Sequence, residues 1–349
     1  MLIIALAVVG GGVVVFISFG FGRANVQRAP VVTETPVIVV PPGPRSWLDG
    51  TPLAGGAAQP IAAAIVVDNA PEAQPQSGLA DAPLVFEVPV EGGRTRFVVI
   101  MPVGAGTQPI GPVRSARPYF IGLAQAIGVP LVHVGGSDAA MTILRRSGWP
   151  HVNQYFDPPF WRDVRRPSPF NVYTAASNLG AFVQSQGWED RLRASAGSLW
   201  QYADGDGTSG VDDALARLPF DRRRYVVEWD YDVDAGVYIR FQGGSLHRVR
   251  SGSDEREVRA ANVVVLQVRS RVLDAIGRLE IPALEPSVQP TGTPQAAAVF
   301  TGGRRIDGTW NWNMGGQPRF QLLQPDGSPI ALRPGTTWVE FVDFSIKNF

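Results

Sequence analysis

The chain has 349 residues, 45% of them hydrophobic, enough for two ordinary domains with buried cores, which excludes a disordered polymer. Its 31 basic side chains balance 31 acidic ones, so no bulk field draws it to nucleic acid, and any recognition of charge has to be local. Cysteine is absent, which removes disulfides, thiolate metal sites, a cysteine nucleophile and a lipidated cysteine.

The first 22 residues, MLIIALAVVGGGVVVFISFGFG, carry no charge and match the roughly 20 residues a helix needs to cross a bilayer. They predict a single N-terminal transmembrane helix, retained as an anchor, since no small-x-small cleavage site of a signal peptide follows. Arg23 and Arg28 come next, and by the positive-inside rule alone they would leave the body in the cytoplasm. Residues 23–60, rich in Pro, Gly and Thr, read as a tether.

From residue 61 the pattern is that of a folded domain. The apolar run Ile61 to Val67 ends in Asp68-Asn69, as a buried strand would, and LVFEVPV and TRFVVIMPV flank the turn Glu91-Gly92-Gly93-Arg94 as a hairpin. YFIGLAQAIG reads as a helix, VPLVHVGG as a strand, SDAAMTILRRSG as a helix capped by Ser137, and Thr174 to about Gln186 as a further helix. Strands alternating with helices give an α/β or α+β layered domain over 61–190. Residues 191–221 read as a connection, in which DGDGTSGVDDAL imitates a calcium loop but lacks its glycine and its closing acid. From 222 to 349 clean alternation and Gly or Asp-Gly turns predict a smaller β-rich domain.

One stretch, IGPVRSARPYF, gathers cations at an expected helix start. With Ser115 as N-cap and Pro118 in the first turn, Arg114 and Arg117 would flank free helix N–H groups, a suitable seat for phosphate or carboxylate. The alternative is that both arginines pair with acids of the same domain, among Asp68, Asp81, Glu87 and Glu91. Glu87 lies inside an apolar strand and alternates in phase with Glu91, so it sits at an edge, in an ion pair or in a site. His133 closes a strand before a glycine turn, where α/β sheets place ligand contacts. In PPFWRDVRRPSPFNVY, Arg162 and Asp163 beside Trp161 would suit the rim of a sugar site. No nucleophile elbow, P-loop, zinc motif or dinucleotide fingerprint is present.

The strings IVVDNAPEAQPQSGLADAPLVFEVPVEGGRTRFVVIM, IGPVRSARPYFIGLA, VHVGGSDAA and FWRDVRRPSPFNVY, with YDVDAGVYIR, GTWNW and PGTTWVEFV later, resemble the YerB-like bacterial envelope lipoproteins. The resemblance spans about Ile61 to Val342 and implies two tandem domains of unknown biochemical role on the outer side of the cytoplasmic membrane. Two departures stand out. The lipidated cysteine of the family is missing, and Phe170 precedes Asn171 where many members carry a histidine.

The expectation is therefore a single-pass membrane protein with an extracytoplasmic body. It would bind an anionic or glycan cell-wall ligand through Asp68, Asn69, Glu87, Glu91, Arg94, Arg96, Arg114, Ser115, Arg117, Tyr119, His133, Ser137, Arg162, Asp163 and Asn171. No metal, cofactor or nucleic acid is expected. The rival readings are a wall-polymer phosphoryl transferase or hydrolase using Asp68 or Glu87 as base or metal ligand, and a protein-binding scaffold presenting Trp310 and Trp312.

Overall fold

The computed structural model describes residues 3–9, 12–18, 43–55, 57–195, 197–204, 211–212, 215–219, 226–285, 294–312 and 319–343. The chain divides into two compact units, Met1–Pro36 and Val37–Phe349. In the first, β1 (Ile3–Val9) and β2 (Gly12–Ser18) pair antiparallel, Ile3 opposite Ser18 and Val9 opposite Gly12. This replaces the expected transmembrane helix. The segment is rich in β-branched Val and Ile, and three successive glycines, each costing about 1 kcal/mol in a helix, interrupt it at Gly10 to Gly12. Among the described residues no helix is long and apolar enough to cross a membrane. Arg23, Arg28, most of the tether and most of the calcium-like loop lie outside the described residues.

The second unit is a mixed α/β structure built on one 11-stranded sheet. Its near half comprises β3 (Ala62–Asp68), β4 (Leu84–Val90), β5 (Arg94–Pro102), β6 (Leu131–His133) and β7 (His151–Asn153). β4 and β5 form the expected hairpin, β5 pairs antiparallel with β3, and β3, β6 and β7 run parallel. The strand Thr337–Asp343 pairs in parallel both with β4 and with Asn262–Val268, so one sheet takes strands from both expected domains. A five-stranded sheet containing the hairpin Val226–Asp232 and Val237–Gln242 is hydrogen-bonded apart from it but packs against it through a shared core.

The near-continuous apolar runs of β3, β4 and β5 arise because both faces of the sheet are covered. Ala62, Ala64 and Val66 face one core, with Tyr119, Phe120 and Trp200; Ala63, Ile65 and Val67 face the other, with Leu179, Trp229 and Tyr238. Trp310 and Trp312, expected at the surface, are buried in the first core. Their indole N–H groups donate to the carbonyls of Gln267 and Ala283 at 2.9 and 2.8 Å. Each indole finds a carbonyl, so burial costs no hydrogen bond.

The helices fall where periodicity places them: α1 (Pro118–Ile127), α2 (Asp138–Ser147) and α3 (Ala176–Ser185), followed by the short α4 (Glu189–Ser195). Ser137 caps α2 by accepting from the Ala140 amide at 3.3 Å. α1 starts two residues later than expected, at Pro118, with Arg117 as N-cap and no side-chain cap. A proline at the first helical position fixes φ for the helix and forces the residue before it into an extended conformation, which is what Arg117 adopts. Upstream, the chain is strand-like: the Arg114 amide donates to Val66, and Ala116 bridges Gly136 beside the end of β6. Ser115 therefore lies two residues upstream of the N-cap rather than at the helix start.

Candidate functional site

Asp68 ends β3, and the Pro112–Arg114 segment runs beside that end, with the Asp68 amide donating to Pro112 at 3.0 Å. This register delivers Arg114 to Asp68, whose carboxylate accepts from Nε while its other oxygen accepts from the Ala70 amide at 2.7 Å. Across the β4–β5 turn, Glu91 accepts from Nε of Arg117 at 3.2 Å and from its terminal nitrogen. Arg96, opposite Asp68 on β5, donates to the Ser115 carbonyl at 2.9 Å and lies 3.7 Å from Glu91. Gly92, at φ 74° in the left-handed region, lets the chain turn from β4 into β5.

Between them opens a cleft of about 330 Å³ lined by Asp68, Val90, Glu91, Gly92, Arg94, Thr95, Arg96, Arg114 and Ile276. The four guanidinium groups of Arg94, Arg96, Arg114 and Arg117 meet two carboxylates, Asp68 and Glu91, leaving a local surplus of two positive charges in a neutral chain. The crowding shows in the ionisation of the groups. Burial, and then the charge of Arg117, lower the buried Arg96 guanidinium to about 10, against the pull of Asp68 and Glu91. Burial opposes ionisation of Glu91, but the hydrogen bond and charge of Arg117, with Arg96 behind it, outweigh this and hold its carboxylate below the usual range. Arg94 is exposed on the rim. An anion entering here would meet cations whose charge the protein neutralises only in part.

Six of the expected residues thus share one place: Asp68, Glu91, Arg94, Arg96, Arg114 and Arg117, with the Ser115 carbonyl as a buttress. Glu87 does not. It points to the opposite face, fully buried, where it accepts from Asn69 at 3.1 Å, from Thr95 and from Arg240. The alternation that puts Glu87 and Glu91 in phase ends at Val90, because Glu91–Gly93 is a tight turn. Asn69 belongs with Glu87 and also accepts from Gln76 at 3.2 Å. Tyr119 is buried in the core, and burial raises its phenol well above the usual range.

His133 is buried too, its Nδ1 2.6 Å from the Gly135 carbonyl and its Nε2 3.1 Å from Nδ1 of His151. Burial lowers it to about 4, so at neutral pH it is an uncharged structural imidazole. Arg162 donates to Asn171 at 2.9 Å and to Gln154 at 3.0 Å, and Asp163 is clasped by Arg165 at 2.8 and 2.9 Å. These form an exposed surface cluster of their own, connected to the cleft through Phe170, whose ring lies 5.6 Å from the Arg114 guanidinium. Among the described residues no three His, Asp or Glu side chains converge to hold a metal ion.

Sequence reasoning misses Ile276, Gly92 and Thr95 in the cleft, and Arg240, His247 and Glu340 around Glu87. The signal for Arg240 and Glu340 was charge inside apolar alternation, in YIRFQ and WVEFV, as for Glu87 in LVFEV. Ile276 comes from a distant hairpin and has no local signal.

Residues 49–189 match the family model described as "Protein of unknown function (DUF3048) N-terminal domain" and residues 216–339 match its C-terminal counterpart. The chain is 29% identical over 282 residues to the candidate lipoprotein YerB of Bacillus subtilis (strain 168), covering 80% of each protein. The crystal structure of YerB from Bacillus subtilis superposes with a TM-score of 0.71 at 26% identity, over 85% of this chain and 96% of that one. The match in sequence across both halves and in fold over most of each chain is of one kind: the chain belongs to the YerB-like DUF3048 family.

Proposed function

We propose that this chain is a membrane-associated envelope protein with its body outside the cytoplasmic membrane, and that its cleft binds an anionic, phosphate- or carboxylate-bearing component of the cell wall. Membership of a family that includes a candidate lipoprotein supports the location. The surplus of two guanidinium charges around a solvent-open cleft carries the ligand class. A reaction centred on Glu87 is disfavoured because that carboxylate is sealed from solvent and bound to Arg240, and both oxygens of Asp68 are already engaged.

The test is thermal melting of the full chain with phosphate, pyrophosphate, glucose and sodium chloride at matched ionic strength. Binding at a hundredfold excess over Kd stabilises by about 2.7 kcal/mol, a shift of a few degrees. Phosphate or pyrophosphate should raise Tm beyond chloride; equal response to all four solutes removes the reading.

A further inference from the structure

The cleft has an apolar edge that a small soluble anion does not need. Ile276 lines it and is 71% exposed; Leu273 and Val272, on the same hairpin, are 53% and 66% exposed. The hairpin pairs Arg271–Val272 with Leu279–Glu280, and its tip reaches the β4–β5 turn, where a methyl on Gly277 would lie 3.9 Å from the Gly92 amide nitrogen. The two turns therefore form one rim, aliphatic on the hairpin side and cationic at Arg94.

The hairpin's own charges are settled internally. Arg271 pairs with Glu280, and Arg278 with Asp274 at 2.6 Å. The uncompensated charge at this rim belongs to the cleft. Three large aliphatic side chains held in water beside a cationic cavity match an anionic amphiphile, whose headgroup and chains need those two environments side by side. A purely polar ligand would leave the aliphatic tip uncovered.

We propose that this rim docks on a bilayer, the cleft receiving the phosphate of an anionic lipid headgroup and Leu273 and Ile276 seating among the upper acyl carbons. The proposal rests on the anion-binding reading of the cleft and names its source. Arg94 is the contact that reaches the lipid first, since it is exposed while Arg96 and Arg117 are buried.

The chain contains no cysteine, so a single Ala275→Cys substitution at the exposed tip gives a unique labelling position. Val233→Cys, at a position 78% exposed on a different hairpin, gives the control. Full-length protein carrying an environment-sensitive fluorophore is reconstituted into vesicles of phosphatidylcholine alone or with phosphatidylglycerol. The apolar N-terminal segment is present in both, so its own affinity for lipid cancels.

The label at 275 should shift to the blue and be quenched by nitroxide-bearing lipid only with phosphatidylglycerol, while the label at 233 stays water-like in both vesicles. Adding Arg94→Glu, or Leu273→Ser with Ile276→Ser, should raise the anionic lipid needed for half the shift about tenfold. A water-like label at 275 on phosphatidylglycerol, or the same shift on both vesicles, overturns the proposal. If that happens while phosphate still raises Tm, the cleft binds soluble anions and only the lipid is wrong; if phosphate fails as well, both readings fall.

Discussion

Glu87 and Glu340 stand opposite each other on adjacent parallel strands, fully buried, with the guanidinium of Arg240 beside both. Arg240 donates to Glu87 and its Nε lies 4.0 Å from Glu340; it also faces the rings of Phe97 and Trp338 at 5.4 and 5.2 Å. One cation cannot balance two buried carboxylates. Burial, and then the charge of Glu87, push the Glu340 carboxyl well above its usual range, so the neutral acid is the form that persists. The cluster joins the two halves of the chain, since Glu87, Asn69 and Gln76 come from one and Arg240, His247 and Glu340 from the other.

Glu340→Gln should cost no stability at neutral pH, because an amide can still accept from the Trp229 indole and donate toward Glu87 without holding a proton that the unfolded acid gives up. Arg240→Met should cost about 3–5 kcal/mol by leaving Glu87 buried without its cation. Urea unfolding of the two variants checks the contrast, and equal losses would contradict the protonation assigned to Glu340.

Acid and alkaline slopes should separate by residue. His133 binds its proton near 4 when folded and near 6.5 when unfolded, so stability falls as pH drops through that window, by about 3 kcal/mol in full. His247, whose Nε2 lies 3.0 Å from Gln76 Oε1, is lowered by burial and then by Arg240, and adds in the same direction. Glu340 acts oppositely: its folded form keeps a proton that the unfolded chain loses above its ordinary value, so its contribution fades as pH rises. Melting from pH 4 to 8 should show a shallower acid slope in His133→Gln and, in Glu340→Gln, a steeper net gain with pH.

The contact between α1 and the turn at Pro282–Leu284 depends on Gly122. A methyl there would lie 1.9 Å from the Leu284 carbonyl oxygen, and backbone cannot step aside as a side chain can. Gly122→Ala should therefore destabilise by about 1–3 kcal/mol despite the gain of about 1 kcal/mol in helix propensity, read as a lower Tm.

Local signals were legible. The runs β3 to β5, the Gly92-Gly93 turn, and helices α1 to α3 follow from periodicity and turn chemistry within a dozen residues, and the Ser137 cap from one side chain. The positively charged cleft was legible in part, because Asp68, Glu91, Arg94, Arg96, Arg114 and Arg117 lie on three neighbouring segments. What sequence could not carry was pairing across distance. Glu87 finds Arg240 at a separation of 153 residues, and Trp310 finds Gln267 at 43, so a carboxylate that read as a site and an indole that read as surface are both interior. At the N-terminus, length and hydrophobicity suggested a helix where β-branching and three glycines gave paired strands.

The surplus of guanidinium charge beside Asp68 and Glu91 is tested most directly by calorimetric titration of pyrophosphate into the full chain and into Arg94→Ala. The exposed Arg94 side chain should leave the ligand-free Tm unchanged when removed, while affinity falls about tenfold, as expected for one charge-assisted contact. No saturable binding by the parent chain, or the same affinity in the variant, would contradict it.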